Sequence, residues 1–220
     1  DCMIVETKTL LKENREQVDL KYLIYYPDDY FSFKKRYPLV LFLHGAGERG
    51  DNIEVIKKHG IPKRIEEGMN FPFISVSPQC HEGVWWSHPR NLCSLEKLMK
   101  KMIIDLHINK NRIYGTGLSM GGYGILELAS KCPNLFAAIV PICGGTITNQ
   151  LKQLEKIPIW MFHGEKDDVI PIESSLFIYE YLKEKNKNIR LTTYPNIMHD
   201  SWTITYENQE VYDWLLSFKK

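Results

Sequence analysis

Short apolar runs alternate with stretches of helical periodicity along almost the whole chain, and this alternation limits the fold more than any single residue does. Residues 39–43 (Leu-Val-Leu-Phe-Leu) form an uninterrupted apolar run, as expected of a strand buried on both faces. Residues 73–76, 113–115, 137–141, 159–162 and 190–194 read as further strands. Residues 18–26 alternate apolar and polar side chains and read as an early antiparallel strand. Helices are expected over 52–59, 94–107, 120–131, 173–185 and 205–217. In the second of these, Leu95, Leu98, Met99, Met102 and Ile103 recur at helical spacing and make one apolar face for the core. Strand and helix in turn imply an α/β fold with a mostly parallel central sheet and helices on both faces.

At 220 residues the chain fits one domain, and no repeat, low-complexity tract or Pro/Ser-rich linker divides it. We therefore expect residues 1–220 to be a single domain. Hydrophobic residues make up 44% and charged residues 25%, and 28 basic against 27 acidic residues leave a net charge of +1. That balance gives no electrostatic reason to expect nucleic acid or an anionic membrane as a partner. No apolar run is long enough to span a bilayer, and the start shows no signal-peptide pattern, so secreted and cytoplasmic locations both stay open. The five cysteines include no Cys-x-x-Cys pair, which argues against a dense disulfide framework and leaves a single bridge open. The group Cys80, His81, His88 and Cys93 fits no standard zinc spacing, so no metal is expected.

In open α/β sheets the reacting groups gather at the carboxyl ends of strands. Four such ends carry unusual residues here. The segment 115–122 (Gly-Thr-Gly-Leu-Ser-Met-Gly-Gly) contains the pattern Gly-x-Ser-x-Gly between an expected strand and an expected helix. A serine on so sharp a turn is held in a strained conformation with its hydroxyl above the sheet edge, beside helix N–H groups able to stabilise an oxyanion. After 39–43 comes His-Gly-Ala-Gly-Glu-Arg-Gly-Asp at 44–51. After 159–162 comes His-Gly-Glu-Lys-Asp-Asp at 163–168, and after 190–194 the run reaches His199, Asp200, Ser201 and Trp202. An acid and then a histidine downstream of the serine fit the chain order Ser…Asp…His.

With these four motifs the chain resembles an α/β-hydrolase. It is most similar to the compact esterases grouped with polyhydroxybutyrate depolymerases, feruloyl and acetylxylan esterases and small carboxylesterases. The segment Leu-His-Gly-Ala-Gly-Glu-Arg-Gly at 43–50, the serine elbow at 117–121, His-Gly-x-x-Asp at 163–167 and His-x-x-Trp at 199–202 carry the resemblance. It implies Ser119 as nucleophile, His199 as general base and then acid, and Asp167 as the acid that orients it, with Asp168 the adjacent rival. The backbone N–H groups of Ala46 and Met120 would form the oxyanion hole, such donors being worth about 3 kcal/mol each. Trp86 and Trp202 would line the substrate pocket, while Trp160, within a strand, belongs to the core. His44 and His163 would brace the site, and Glu48, Arg49 and Asp51 would hold their loop through ion pairs.

The implied reaction is ester hydrolysis through an acyl-enzyme, without a cofactor. The substrate would be a small ester or an acylated polysaccharide side group such as a feruloyl or acetyl ester. About a dozen residues separate Gly145 from the next expected strand, too few for a covering domain, so an open site is expected. A serine peptidase or thioesterase would use the same groups, and a non-catalytic binding module would keep only the fold.

Overall fold

The computed structural model describes residues 2–147 and 149–220. Its sheet has eight strands: β1 (Ile4–Leu10), β2 (Leu20–Tyr26), β3 (Tyr37–Leu43), β4 (Ile74–Pro78), β5 (Ile108–Leu118), β6 (Ala138–Ile142), β7 (Ile159–Gly164) and β8 (Ile189–Tyr194). They lie in the order β1-β2-β4-β3-β5-β6-β7-β8. β2 runs antiparallel to β1 and β4, and every pairing from β4 through to β8 is parallel.

The uninterrupted apolar run of β3 has its reason in the layers. Leu39, Leu41 and Leu43 point into one core and Val40 and Phe42 into another, one on each face of the sheet. The first core is closed by α2 (Pro89–Asp105), α3 (Met120–Lys131) and α4 (Glu173–Leu182), which contribute Leu95, Leu98, Ile125, Ile178 and Leu182. The second is closed by α1 (Gly60–Glu66), α5 (Trp202–Tyr206) and α6 (Gln209–Leu216), with Ile61, Tyr206, Tyr212 and Leu215.

Several expected boundaries move. β1 lies outside every strand expected from the sequence. The helix expected over 52–59 is a 3-10 segment, Ile53–Lys58, and α1 follows it from Gly60, whose φ of +68° suits glycine. The helix expected over 205–217 is two, α5 and α6, broken at Glu207 and Asn208, where the Asn208 side chain accepts a hydrogen bond from the Glu210 N–H. β5 begins five residues before the expected Ile113, its first half being mostly polar and only partly buried. Between β6 and β7 the chain makes a 3-10 turn, Leu151–Leu154.

β4 and β5 flank β3 on opposite sides, so the chain reverses its direction of travel across the sheet there, which opens a crevice at the carboxyl ends of β3 and β5. The strand ends are level: Leu43 pairs with Gly117, Leu118 with Ile142, and Gly164 with Tyr194. All four motif loops therefore leave the sheet on one rim.

Candidate active site

Ser119 sits between β5 and α3 with φ 53° and ψ −115°, a conformation that non-glycine residues rarely adopt. The glycines on either side are a steric requirement. A Cβ on Gly121 would stand 1.9 Å from the Leu43 carbonyl oxygen, and one on Gly117 would stand 2.3 Å from that of Gly121. The elbow is thus pressed against β3, and the Ser119 N–H donates to the Ile142 carbonyl at 2.9 Å.

Three side chains distant in sequence form a hydrogen-bonded series at this rim. Ser119 Oγ lies 3.0 Å from His199 Nε2, and His199 Nδ1 lies 2.9 Å from Asp167 Oδ2. Asp167 Oδ1 accepts the N–H groups of Val169 and Ile170, both at 2.9 Å. Burial opposes ionisation of Asp167, but the hydrogen bonds from His199, Val169 and Ile170 outweigh it and hold the carboxyl below the usual range. Asp168 is exposed, and the turn hydrogen bonds from the N–H groups of Val169 and Ile170 go to Asp167.

His163 backs the acid. Its Nε2 donates to the Ile170 carbonyl at 2.8 Å and lies 3.3 Å from Asp167 Oδ2, while Nδ1 accepts from the Ser175 hydroxyl at 2.7 Å. Burial pushes this imidazole below its ordinary value, which favours the neutral ring.

The loop after β3 is pinned with the same economy. His44 Nδ1 donates to the Gly45 carbonyl at 2.6 Å, and its Nε2 accepts the Cys80 N–H at 2.9 Å. This pattern needs the neutral ring, and burial lowers the imidazole to about 4. A trans peptide points its C=O and N–H in opposite directions. The bond to the Gly45 oxygen therefore turns the Ala46 N–H away from His44. Met120 opens α3, where the first N–H groups have no partner within the helix, and Ala46 and Met120 border the same cavity as Ser119.

Two expectations about this loop and its neighbours need correction. Glu48 accepts from the Gly45 N–H at 3.2 Å, Arg49 donates to the carbonyls of Ala46 and Val84, and the Asp51 carbonyl accepts from Lys21, so among the described residues hydrogen bonds to backbone groups take the place of the expected ion pairs. Trp86 does not line the pocket. It is fully buried, packed beneath α3 against Gly124, and its indole N–H donates to the His44 carbonyl at 3.0 Å. Its neighbour Trp85 is 56% exposed and faces the cavity instead. Trp202 stands beside the pocket rather than in its lining: its ring meets His199 edge to face at 5.2 Å and His59 at 5.4 Å.

The cavity over Ser119 has a volume of about 530 Å³. Trp85, Tyr123, Ile147, Val169 and Ile170 wall it, Ser87 adds a hydroxyl, and among the described residues no charged side chain lines it. Sequence reasoning missed these walls. Val169 and Ile170, following the acid directly, were the readable signal; Ile147 lies in an irregular loop where no periodicity operates.

Among the described residues, one group of side chains could converge on a metal ion: Cys143, Asp167 and His199, with ligand atoms within 4.8 Å of one another. Two of these residues, Asp167 and His199, already share a hydrogen bond, and burial pushes the Cys143 thiol up to about 12, against the thiolate a metal would require. The cysteine and histidine group at 80–93 does not converge. Cys80 is buried, His81 contacts the Asp19 carbonyl, and His88 caps α2 by accepting from the Arg90 N–H.

Residues 32–213 match the family described as phospholipase/carboxylesterase. A solved structure of a thermostable esterase superposes with a TM-score of 0.84 at 33% identity, covering 98% of this chain and 63% of that one. A probable feruloyl esterase C of Aspergillus niger is 24% identical over 165 residues, covering 73% of this chain and 59% of that protein. Acyl-protein thioesterase 1 of Gibberella zeae is 24% identical over 195 residues, covering 74% of this chain and 83% of that protein. The chain thus spans about three fifths of the length of the feruloyl esterase and of the solved esterase.

Proposed function

The chain belongs to the phospholipase/carboxylesterase family and has the α/β-hydrolase fold, and on that premise we propose that residues 1–220 are one catalytic domain hydrolysing carboxylic esters through Ser119, His199 and Asp167. The observation that carries this reading is the unbroken series from the Ser119 hydroxyl to the Asp167 carboxylate, opening into an uncharged cavity.

In this mechanism His199 Nε2 takes the Ser119 proton as Oγ attacks the ester carbonyl. The Ala46 and Met120 N–H groups receive the oxyanion, and Asp167 stabilises the imidazolium that forms. His199 then returns the proton to the leaving alcohol, leaving an acyl-enzyme. Water activated by the same imidazole releases the acid and restores Ser119. No step calls for a cofactor.

The walls suit a neutral, apolar acyl group, aromatic or aliphatic, and the shortness of the β6–β7 connection leaves space for a bulky alcohol, such as the sugar of an acylated polysaccharide. The feruloyl esterase similarity supports the same substrate class, whereas the thioesterase similarity makes thioesters the competing one.

Ser119→Ala should lower p-nitrophenyl acetate turnover by at least about 10³-fold with melting temperature preserved. Wild-type turnover in that variant would refute the assignment. Side-by-side kcat/KM values on methyl ferulate, an acetylated xylan, an acyl thioester and a peptidyl amide separate the substrate classes. A thioester preferred over every oxygen ester would move the reading to thioesterase, and no labelling of Ser119 by a fluorophosphonate would make the chain a binding module.

A further inference from the structure

Among the described residues, the hydrogen-bond and ring partners of Arg49 are all neutral. Its Nε donates to the Ala46 carbonyl at 2.9 Å, its Nη1 donates to the Val84 carbonyl at 3.0 Å, and its guanidinium lies over the Trp85 ring, 5.0 Å from the centroid. Ala46 and Trp85 both border the cavity above Ser119, one at the proposed oxyanion hole and the other at the wall. We infer that Arg49 is a positioning residue that clamps the oxyanion loop to the acyl-site wall, so that one guanidinium sets both the Ala46 donor and the Trp85 indole. This rests on the serine-hydrolase reading above and adds a residue that determines rate and acyl preference together.

The geometry supports the clamp in three ways. First, His44 fixes the peptide before Ala46 through the Gly45 oxygen, and Arg49 fixes the peptide after it through the Ala46 oxygen. With both flanking peptides held, the Ala46 N–H has little freedom to turn from the cavity. Second, the other ties between these segments bypass the cavity. Gln79 Nε2 donates to the carbonyls of Glu48 and Asn52, the Gly50 N–H donates to the Cys80 carbonyl, and His44 is held from beneath by the Cys80 N–H and the indole N–H of the fully buried Trp86. They hold the base of the two loops, while Arg49 reaches 84–85, where the wall begins. Third, the side chain matches the task. A planar fork can donate in two fixed directions while stacking on an aromatic ring, and a lysine ammonium cannot do all three at once. Trp85 is more than half exposed, so without the stack its indole could swing to other rotamers and the wall would lose its shape.

The experiment compares wild type, Ser119→Ala, Arg49→Met, Arg49→Lys, Trp85→Ala and the Arg49→Met/Trp85→Ala double variant. Substrates are p-nitrophenyl acetate and p-nitrophenyl hexanoate, and a trifluoromethyl ketone, which forms a tetrahedral oxyanion adduct with the serine, probes the hole. Arg49→Met should lower kcat on acetate by about tenfold or more, weaken the ketone by a similar factor and raise KM for hexanoate. Arg49→Lys should fail to restore kcat, and it carries the test if the methionine variant does not fold. On hexanoate the double variant should lose less than the product of the two single losses, because both substitutions break one contact. A folded Arg49→Lys or Arg49→Met protein with kcat and ketone affinity within twofold of wild type, or losses that simply multiply, overturns the clamp. If Ser119→Ala is inactive and those results appear, the clamp alone falls; if Ser119→Ala is fully active, the serine-hydrolase reading falls first.

Discussion

One carboxylate at the site divides its work between its two oxygens. Asp167 Oδ1 closes the turn onto Val169 and Ile170, and Oδ2 faces His199, so the side chain is held rigid by the loop it organises. Asp167→Asn keeps the size but offers an N–H where the imidazole N–H must be accepted, which favours the wrong tautomer. We expect kcat to fall by about 10⁴-fold with a modest loss of stability. Asp168→Asn, an exposed change next door, should leave the rate within about twofold; parallel measurements on p-nitrophenyl acetate decide between the two positions. The residue scale is also where sequence reading was weakest. Trp85 and Trp86 are adjacent in an irregular loop, where neither the helical nor the strand period says which ring turns inward. The pattern offered two identical side chains, and burial of Trp86 beneath α3 left Trp85 at the cavity.

At the scale of elements, the strand-elbow-helix unit was readable because several local signals agree there. Glycines flank the serine, an apolar run precedes it and helical spacing follows, and α3 begins and ends at the expected residues 120 and 131. β1 escaped notice because it is an edge strand exposed over most of both faces, so Ile4–Leu10 shows no regular apolar face. The expected single helix over 205–217 fails at Asn208, whose side chain starts a new helix although the apolar spacing runs on past it. The contact between α3 and β3 sets the tightest demand of any element pair described here. Gly121→Ala would place its methyl 1.9 Å from the Leu43 oxygen, backbone against backbone. It should destabilise the protein by about 3 kcal/mol, the upper part of the usual range for overpacking, and displace the Ser119 hydroxyl. Urea unfolding together with the rate on a short ester checks both effects; an unchanged midpoint would show that the two elements can separate without harm.

At the scale of the whole molecule, burial of imidazoles makes the fold sensitive to acid. Burial lowers His44 to about 4, and it also pushes His59 and His163 down. In the unfolded chain these rings take protons near pH 6.5, whereas the folded protein leaves them neutral until lower pH. The unfolded state therefore binds more protons in that window, so stability is full above about pH 6.5 and declines as pH falls towards 4. His44 alone accounts for about 3 kcal/mol of that decline, and the lowered Asp167 acts in the same sense at still lower pH. Unfolding free energies from urea titrations at pH 7.5, 5.5 and 4.5 should show the loss. His44→Asn, though less stable at neutral pH, should show a shallower slope.

The overall architecture was legible because alternating strands and helices admit few arrangements, and because His44, Ser119, Asp167 and His199 each follow a strand. The level register of those strand ends, which no local pattern reveals, then brings three of the four into one hydrogen-bonded series. The proposed base, His199, comes from the loop after β8, the outermost strand on its side, while the proposed nucleophile, Ser119, follows β5 near the middle. Turnover is therefore a gauge of whether the sheet is complete out to its margin: fraying that peels β8 away would silence the enzyme while most of its helices were still intact.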